Sequence, residues 1–326
     1  MYRAQANLGK ALQLEGRNEE ALAVYQRAIA IDDRQADALN NIATLYHLKG
    51  DVDQAIPWYL QALERNPQLE EVHQNLADAY AKLGATEKAI AAYRRALAIE
   101  SGKGDIWSNY GLLLYETGDI AAATQAYEKA IELLPEQAEP YNNLANIYVD
   151  NGDYSRAETL YLEALRLIPQ QSGQILANLG DLYQSMGDIA AGRSRLGEAI
   201  DLMPTHAEWH FRLGRLERKA GQAVAAKAAF SRAIALDGEH ARARVEMAEL
   251  LGESQAWQPA VGEYRQALMV RSDYSRAWFG LATALDALGD VQGAIAAYRE
   301  FLSAWPNQDQ RARDAQTRIS VLVGGP

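Results

Sequence analysis

The chain contains no cysteine. Disulfide bonds, thiolate catalysis and cysteine-based zinc sites are therefore excluded. No apolar run reaches the 18 residues that a transmembrane helix needs. The opening segment, MYRAQANLGKALQLEG, has no basic stretch followed by an apolar core and is not read as a secretory signal. Positive charge is in short supply, with 32 Lys and Arg against 43 Asp and Glu and a formal charge of −11. Phosphate contacts need clustered Lys and Arg, so nucleic acid and anionic membrane surfaces are disfavoured partners. The acidic balance mainly serves solubility. A Gly-rich phosphate loop, G-x-S-x-G and H-E-x-x-H are all missing. Gly102-Lys103-Gly104 is too short to cradle a phosphate, and no carboxylate pair can be argued to be an acid–base couple. The expectation is a chain that is not an enzyme and takes no cofactor and no metal.

What the sequence does contain is repetition. Its 326 residues are 48% hydrophobic, enough to bury a large core. Gly16, Gly50, Gly84, Gly118 and Gly152 recur every 34 residues, then Gly187, Gly221 and Gly289 follow, with Gln255 in the one substituted slot. An alanine series keeps step: Ala21, Ala55, Ala89, Ala123, Ala157, Gly192, Ala226, Ala260 and Ala294. Four residues later comes an aromatic series, from Tyr25, Tyr59 and Tyr93 to Tyr264 and Tyr298, broken only by Leu196. A second alanine series follows three residues after that. Gly ends a first helix and permits a left-handed turn. The small Ala lets two helices approach, and the aromatic fills the space beside that contact. Pro67, Pro135, Pro169, Pro204 and Pro306 stop second helices. Each unit is a helical hairpin that cannot bury its own apolar face, so hairpins must stack.

These positions resemble the tetratricopeptide repeat. The units run 2–35, 36–69, 70–103, 104–137, 138–171, 173–206, 207–240, 241–274 and 275–308, followed by a polar capping helix and tail at 309–326. The resemblance implies an all-α solenoid, a right-handed superhelix of stacked hairpins with a concave groove. Ser172 is an extra residue, and Gly192 and Leu196 depart from the pattern, so a seam with looser packing is expected near 172–206. Pro57 should kink the second helix of its unit slightly.

The resemblance also points to side chains. Asn7, Asn41, Asn75, Asn109, Asn143 and Asn178 share one slot in six successive first helices. In the family that slot faces the groove, and each carboxamide can pair with the backbone of an extended peptide. Such a ladder is similar to the repeat region of O-linked N-acetylglucosamine transferase. The plainer alternative is that these amides bond neighbouring helices. From Arg212 the chemistry of the slot changes. Arg212, Arg215 and Lys219 recur at helical spacing and would suit a carboxylate or phosphate, unless Glu208, Glu217 and Glu246 balance them. Asn146, Asn178 and Arg212 match three positions of the two-carboxylate clamp of co-chaperone repeat domains. The clamp's two lysine positions are Asn142 and Glu208 here, which speaks against it. His206 and His210 lie four apart, but His206 falls in a turn and His210 on a packing slot, so His210 is read as a core histidine.

The leading reading is a protein-interaction scaffold that binds an extended peptide or a helix of another protein in its groove. The second reading is a substrate-docking module of a larger enzyme, glycosyltransferase-like, or of a membrane-anchored protein. Self-association through the N-terminal unit, where Tyr2, Leu8 and Leu12 are candidates for exposure, is a third. The expected compartment is the cytoplasm, with the periplasm or a longer chain as alternatives.

Overall fold

The computed structural model describes residues 2–31, 36–169, 172–307 and 309–324, with side chains from residue 4 onward. The described residues form nineteen α-helices and no strand, as the repeat pattern implies. They divide into two compact units, Met1–Leu167 and Ile168–Pro326.

In the first unit α1 (Tyr2–Leu14) pairs with α2 (Asn18–Ile31), α3 (Ala36–Lys49) with α4 (Val52–Arg65), and α5 (Glu70–Lys82) with α6 (Thr86–Ile99). Two further pairs follow: α7 (Gly104–Glu116) with α8 (Ile120–Leu133), and α9 (Ala138–Asp150) with α10 (Tyr154–Leu167). In the second unit α11 (Gly173–Met186) pairs with α12 (Ile189–Leu202), and α13 (Ala207–Lys219) with α14 (Ala223–Leu236). There follow α15 (Ala241–Glu253) with α16 (Trp257–Val270), α17 (Ser275–Ala287) with α18 (Val291–Ala304), and the closing helix α19 (Gln310–Gly324). Each second helix also packs on the next first helix within its unit. First helices touch one another as well: α3 meets α5 and α7 meets α9 in the first unit, and α11 meets α13 and α15 meets α17 in the second. Each unit thus has a layer of first helices backed by a layer of second helices.

The turn chemistry follows from glycine. Eight first helices end at a Gly with φ between +69° and +91°. The next residue then donates its N–H five residues back, as Asp119 does to the Leu114 carbonyl at 2.9 Å. That closes the helix end with a Schellman-type bond. Asp119 in turn caps α8, accepting from the Ala122 N–H at 3.2 Å.

In several hairpins the aromatic lies against the small residue of its own first helix, as Tyr25 does at Gly9, Tyr127 at Gly111 and Phe230 at Gly214. A Cβ at Gly111 would stand 2.9 Å from the Tyr127 ring, so only a small side chain fits beneath it. Tyr25, Tyr59, Tyr127 and Phe230 are fully buried, and each such ring contributes roughly 1.5–3 kcal/mol of apolar burial.

In repeat six Leu196 is fully buried, and Leu216 from α13 comes within 2.6 Å of where a Gly192 Cβ would be. One expectation needs correction here. His210 is not a core residue. It is half-exposed, and its Nε2 donates to the Pro204 carbonyl at 2.9 Å. The same bond recurs at its slot in other repeats, from His73 Nε2 to Pro67 at 3.0 Å, Trp107 Nε1 to Ser101 at 2.9 Å, Tyr141 Oη to Pro135 at 3.2 Å, Arg244 Nε to Gly238 at 3.1 Å and Trp278 Nε1 to Ser272 at 2.8 Å. Each donor reaches the carbonyl six residues back and ties the inter-repeat turn to the following helix. Helix α4 runs on through Pro57. At the N-terminus Leu8 is half-exposed, but Leu12 is buried; the Tyr2 side chain lies outside the described residues.

Candidate functional site

The asparagines of the ladder fall one per first helix, on α1, α3, α5, α7 and α9 in the first unit and on α11 in the second. Asn7 is exposed, whereas Asn41, Asn75, Asn109, Asn143 and Asn178 are half-buried. Several are bonded within the protein, and Asn178 accepts from both Gln174 at 2.8 Å and Arg212. Asn75 donates to the Asn40 side-chain Oδ1 at 3.3 Å, linking α5 to α3. Asn143 accepts from Asn142 at 3.2 Å. A carboxamide has two N–H groups and two lone pairs to offer, so these contacts leave hydrogen-bonding capacity at the surface. One turn further along, Asn146 accepts from the Tyr161 hydroxyl and Asp78 from the Tyr93 hydroxyl. Burial pushes the Asp78 carboxyl above the usual carboxylate range, against the pull of the Tyr93 bond.

One turn before the ladder stands a column of carboxylates that was not singled out from the sequence. Asp37, Glu71, Asp105 and Glu139 are 34 residues apart, one in the first turn of each of α3, α5, α7 and α9. All four are exposed, and none makes an ion pair among the described residues. Their hydrogen bonds come from neutral amides: Asn40 to Glu71 at 3.5 Å and Gln74 to Asp105 at 3.3 Å. The signal was legible as a 34-residue period, but first-turn acids are ordinary helix companions and so attract little notice.

The second unit handles its charges differently. Arg212 lies 3.1 Å from Asp181 and 3.5 Å from Glu208, and donates to Asn178 at 3.2 Å. Arg215 is exposed, and the Lys219 ammonium is spent on the Gln184 carbonyl at 2.6 Å. Glu208 also receives Arg242 at 2.6 Å and His240 at 3.2 Å. Burial acts to raise the Glu208 pKa, but the His240 bond and the two arginines outweigh it and hold the carboxyl low. Further on, Arg218 touches Glu246, Glu249 and Glu253 at 2.5, 2.6 and 2.5 Å. Arg276 grips Glu249 with two nitrogens at 2.6 Å and Glu246 at 2.9 Å. The same contest between burial and arginine bonds leaves Glu249 below the carboxylate range. Arg218 and Glu249 line a cleft of about 450 Å³ together with Tyr264, Phe279 and Arg311. At its floor the ladder slot has become Gly280, where a Cβ would meet the Tyr264 ring at 2.3 Å.

Of the basic face read from the sequence, Arg212 is ion-paired within the protein, Lys219 is bonded to a carbonyl, and Arg215 stays exposed. Of the clamp positions, Asn142 and Asn146 lie on α9 in the first unit, and Asn178, Glu208 and Arg212 in the second. Glu208 already neutralises arginines of its own unit. Among the described residues no group of three His, Asp or Glu is arranged to hold a metal, and no helix is long and apolar enough to cross a membrane.

Comparison with known proteins follows the same lines. No curated protein matches the sequence. Among solved structures, a chain of the APC/C hetero-tetramer Cut9–Hcn1 superposes with a TM-score of 0.61 at 16% identity, over 93% of this chain and 59% of that one. A tetratricopeptide repeat protein from Parabacteroides merdae gives 0.59 at 19% identity, over 76% and 98%. Pseudomonas aeruginosa pilF gives 0.57 at 20% identity, over 66% and 96%. These likenesses bear on the fold. Two short family models, described as TPR repeat and Tetratricopeptide repeat, match residues 9–50 and 245–309. A third, the Cilia and flagella-associated protein 70 C-terminal domain, matches residues 33–217, more than half of the sequence. Hairpin by hairpin and model by model, the chain belongs to the tetratricopeptide-repeat proteins, within the family of that C-terminal domain.

Proposed function

We propose that the chain is a binding scaffold without a reaction of its own, and that the first-helix face of its N-terminal unit holds an extended peptide of another protein. Repeats of this family generally serve as protein-interaction scaffolds. The observation that carries the finer reading is the row of half-buried amides Asn41, Asn75, Asn109 and Asn143, one per repeat, each with bonding capacity to spare. Amides spaced along a stack of helices suit the backbone of an extended chain, which presents alternating donors and acceptors along its length. Such contacts demand little of the partner's side chains.

The test is selection of short peptides from a random displayed library on the purified chain. Their affinities are then compared with those for a variant carrying Asn41→Ala, Asn75→Ala, Asn109→Ala and Asn143→Ala, once circular dichroism has shown that its helix content is kept. At about 1 kcal/mol per lost hydrogen bond, affinity should fall tenfold or more. Equal affinity for both proteins would assign the ladder to helix–helix bonding alone.

A further inference from the structure

Neutral amides do not say which peptide they hold; the carboxylate column beside them does. Building on the reading of this face as a peptide-binding surface, we propose that its partner is a basic segment. The segment carries Lys or Arg at about every third residue and lies across α3, α5, α7 and α9 with its cations on Asp37, Glu71, Asp105 and Glu139.

The charge of the protein is concentrated there. Residues 1–167 hold 15 Lys and Arg against 25 Asp and Glu, whereas residues 168–326 hold 17 against 18. Nearly all of the net charge of −11 therefore belongs to the first unit. Within that unit the layers differ too. The second helices α2, α4, α6, α8 and α10 carry nine acidic and eight basic residues, close to neutral. The first helices carry eight acidic residues, all on α3, α5, α7 and α9, and four basic ones: Arg3 and Lys10 on α1, where Arg3 holds the column's slot, and Lys49 and Lys82 near helix ends.

Helix stability does not explain the column. A first-turn carboxylate favours the positive end of the helix dipole, and that alone would suffice if every repeat obeyed it. The second unit does not: the same slot holds Arg242 on α15 and Arg276 on α17. Where that slot does carry an acid, as Glu208 on α13, the chain supplies its own cations, Arg242 at 2.6 Å and Arg212 at 3.5 Å. In the second unit the one acid of that slot is thus neutralised internally, whereas the four in the first unit make no ion pair among the described residues.

The spacing sets the partner's pattern. Packed helices lie roughly 8–10 Å apart, and an extended chain advances about 3.3 Å per residue. Successive carboxylates therefore face every third residue of the bound segment.

The probe is a fluorescent thirteen-residue peptide with lysine at positions 2, 5, 8 and 11 and Ser or Ala elsewhere, titrated against the full chain by anisotropy. Two companions share its length, one with Gln for every Lys and one with the four lysines contiguous. The spaced peptide should bind best, losing about tenfold with Gln in place of Lys and weakening steeply at about 500 mM salt. A variant with Asp37→Asn, Glu71→Gln, Asp105→Asn and Glu139→Gln should lose a similar factor. A variant with the same charge change on second helices, Asp53→Asn, Glu64→Gln, Glu87→Gln and Glu128→Gln, should bind like the parent. If the Gln peptide binds as well as the Lys peptide, or if the two charge variants weaken binding equally, the column is not a recognition surface. The peptide arm decides even where a variant fails to fold. The ladder variant separates the two readings: loss there with no loss in the column variant upholds the amide reading and overturns the basic partner. The reverse pattern upholds the basic partner and returns the amides to helix packing.

Discussion

Replacing Gln255 by glycine should stabilise the chain. Eight of the nine hairpin turns carry Gly at positive φ, and the ninth carries Gln255 at φ 60°. A residue with a Cβ is held there at a cost of roughly 1–2 kcal/mol. Glycine removes that cost but adds freedom to the unfolded chain, which gives back about 0.4–1 kcal/mol. The net gain should be about 0.5–1 kcal/mol. Nothing else is lost, because the Gln255 side chain is exposed and makes no hydrogen bond among the described residues, and its backbone N–H keeps its 2.8 Å bond to the Gly252 carbonyl. Urea unfolding should show a higher midpoint at unchanged slope. Repeat arrays lose all-or-none behaviour, so hydrogen exchange of the α15 and α16 amides is the sharper readout, and it should slow by about two- to fivefold. An unchanged or lowered midpoint, with exchange no slower, would mean that the left-handed turn carries no strain at this position. The period-34 glycines would then need another explanation.

Two further substitutions follow from the site. Asp78→Asn should keep the bond from Tyr93, since Asn146 accepts the equivalent bond from Tyr161. It would remove a carboxylate whose pKa burial has raised. A raised carboxyl destabilises the folded state above its folded pKa and is neutral in both states below its unfolded value. The variant should therefore be the more stable at pH 7, with the advantage gone below about pH 3.9; melts across pH that show no such crossover would refute the shift. Gly280→Asn, which would restore the ladder slot, drives a Cβ to 2.3 Å from the Tyr264 ring. It should cost about 1–3 kcal/mol by overpacking, read as a lowered urea midpoint; an unchanged midpoint would show that Tyr264 is free to move aside.

The hairpins were legible in the sequence because each slot has a local cause. Gly152 needs positive φ, Ala157 needs to be small, and Tyr161 fills the gap above it, all within one unit of chain. The ion-pair network of the second unit was not legible in the same way. Arg218 reaches carboxylates 28 to 35 residues away, and which of the nearby acids it meets depends on how one hairpin sits on the next. The packing at Gly192 was hidden for a related reason: the residue beside it, Leu216, belongs to the following repeat. The carboxylate column was visible as a period and passed over as ordinary helix chemistry. Its meaning emerged only where the second unit broke the same rule.

The bond from the slot of Trp107 back to the turn before it bears on how such a chain tolerates change. Trp, Tyr, His and Arg all occupy that slot and all deliver a hydrogen to a carbonyl six residues behind. What those six repeats share is a reach and a proton, whereas Leu39 and Leu176 fill the same slot with buried apolar side chains. The joint between neighbouring hairpins can therefore be made by four chemically dissimilar donors or by plain packing. The exposed side of each such residue is then free to diverge, repeat by repeat.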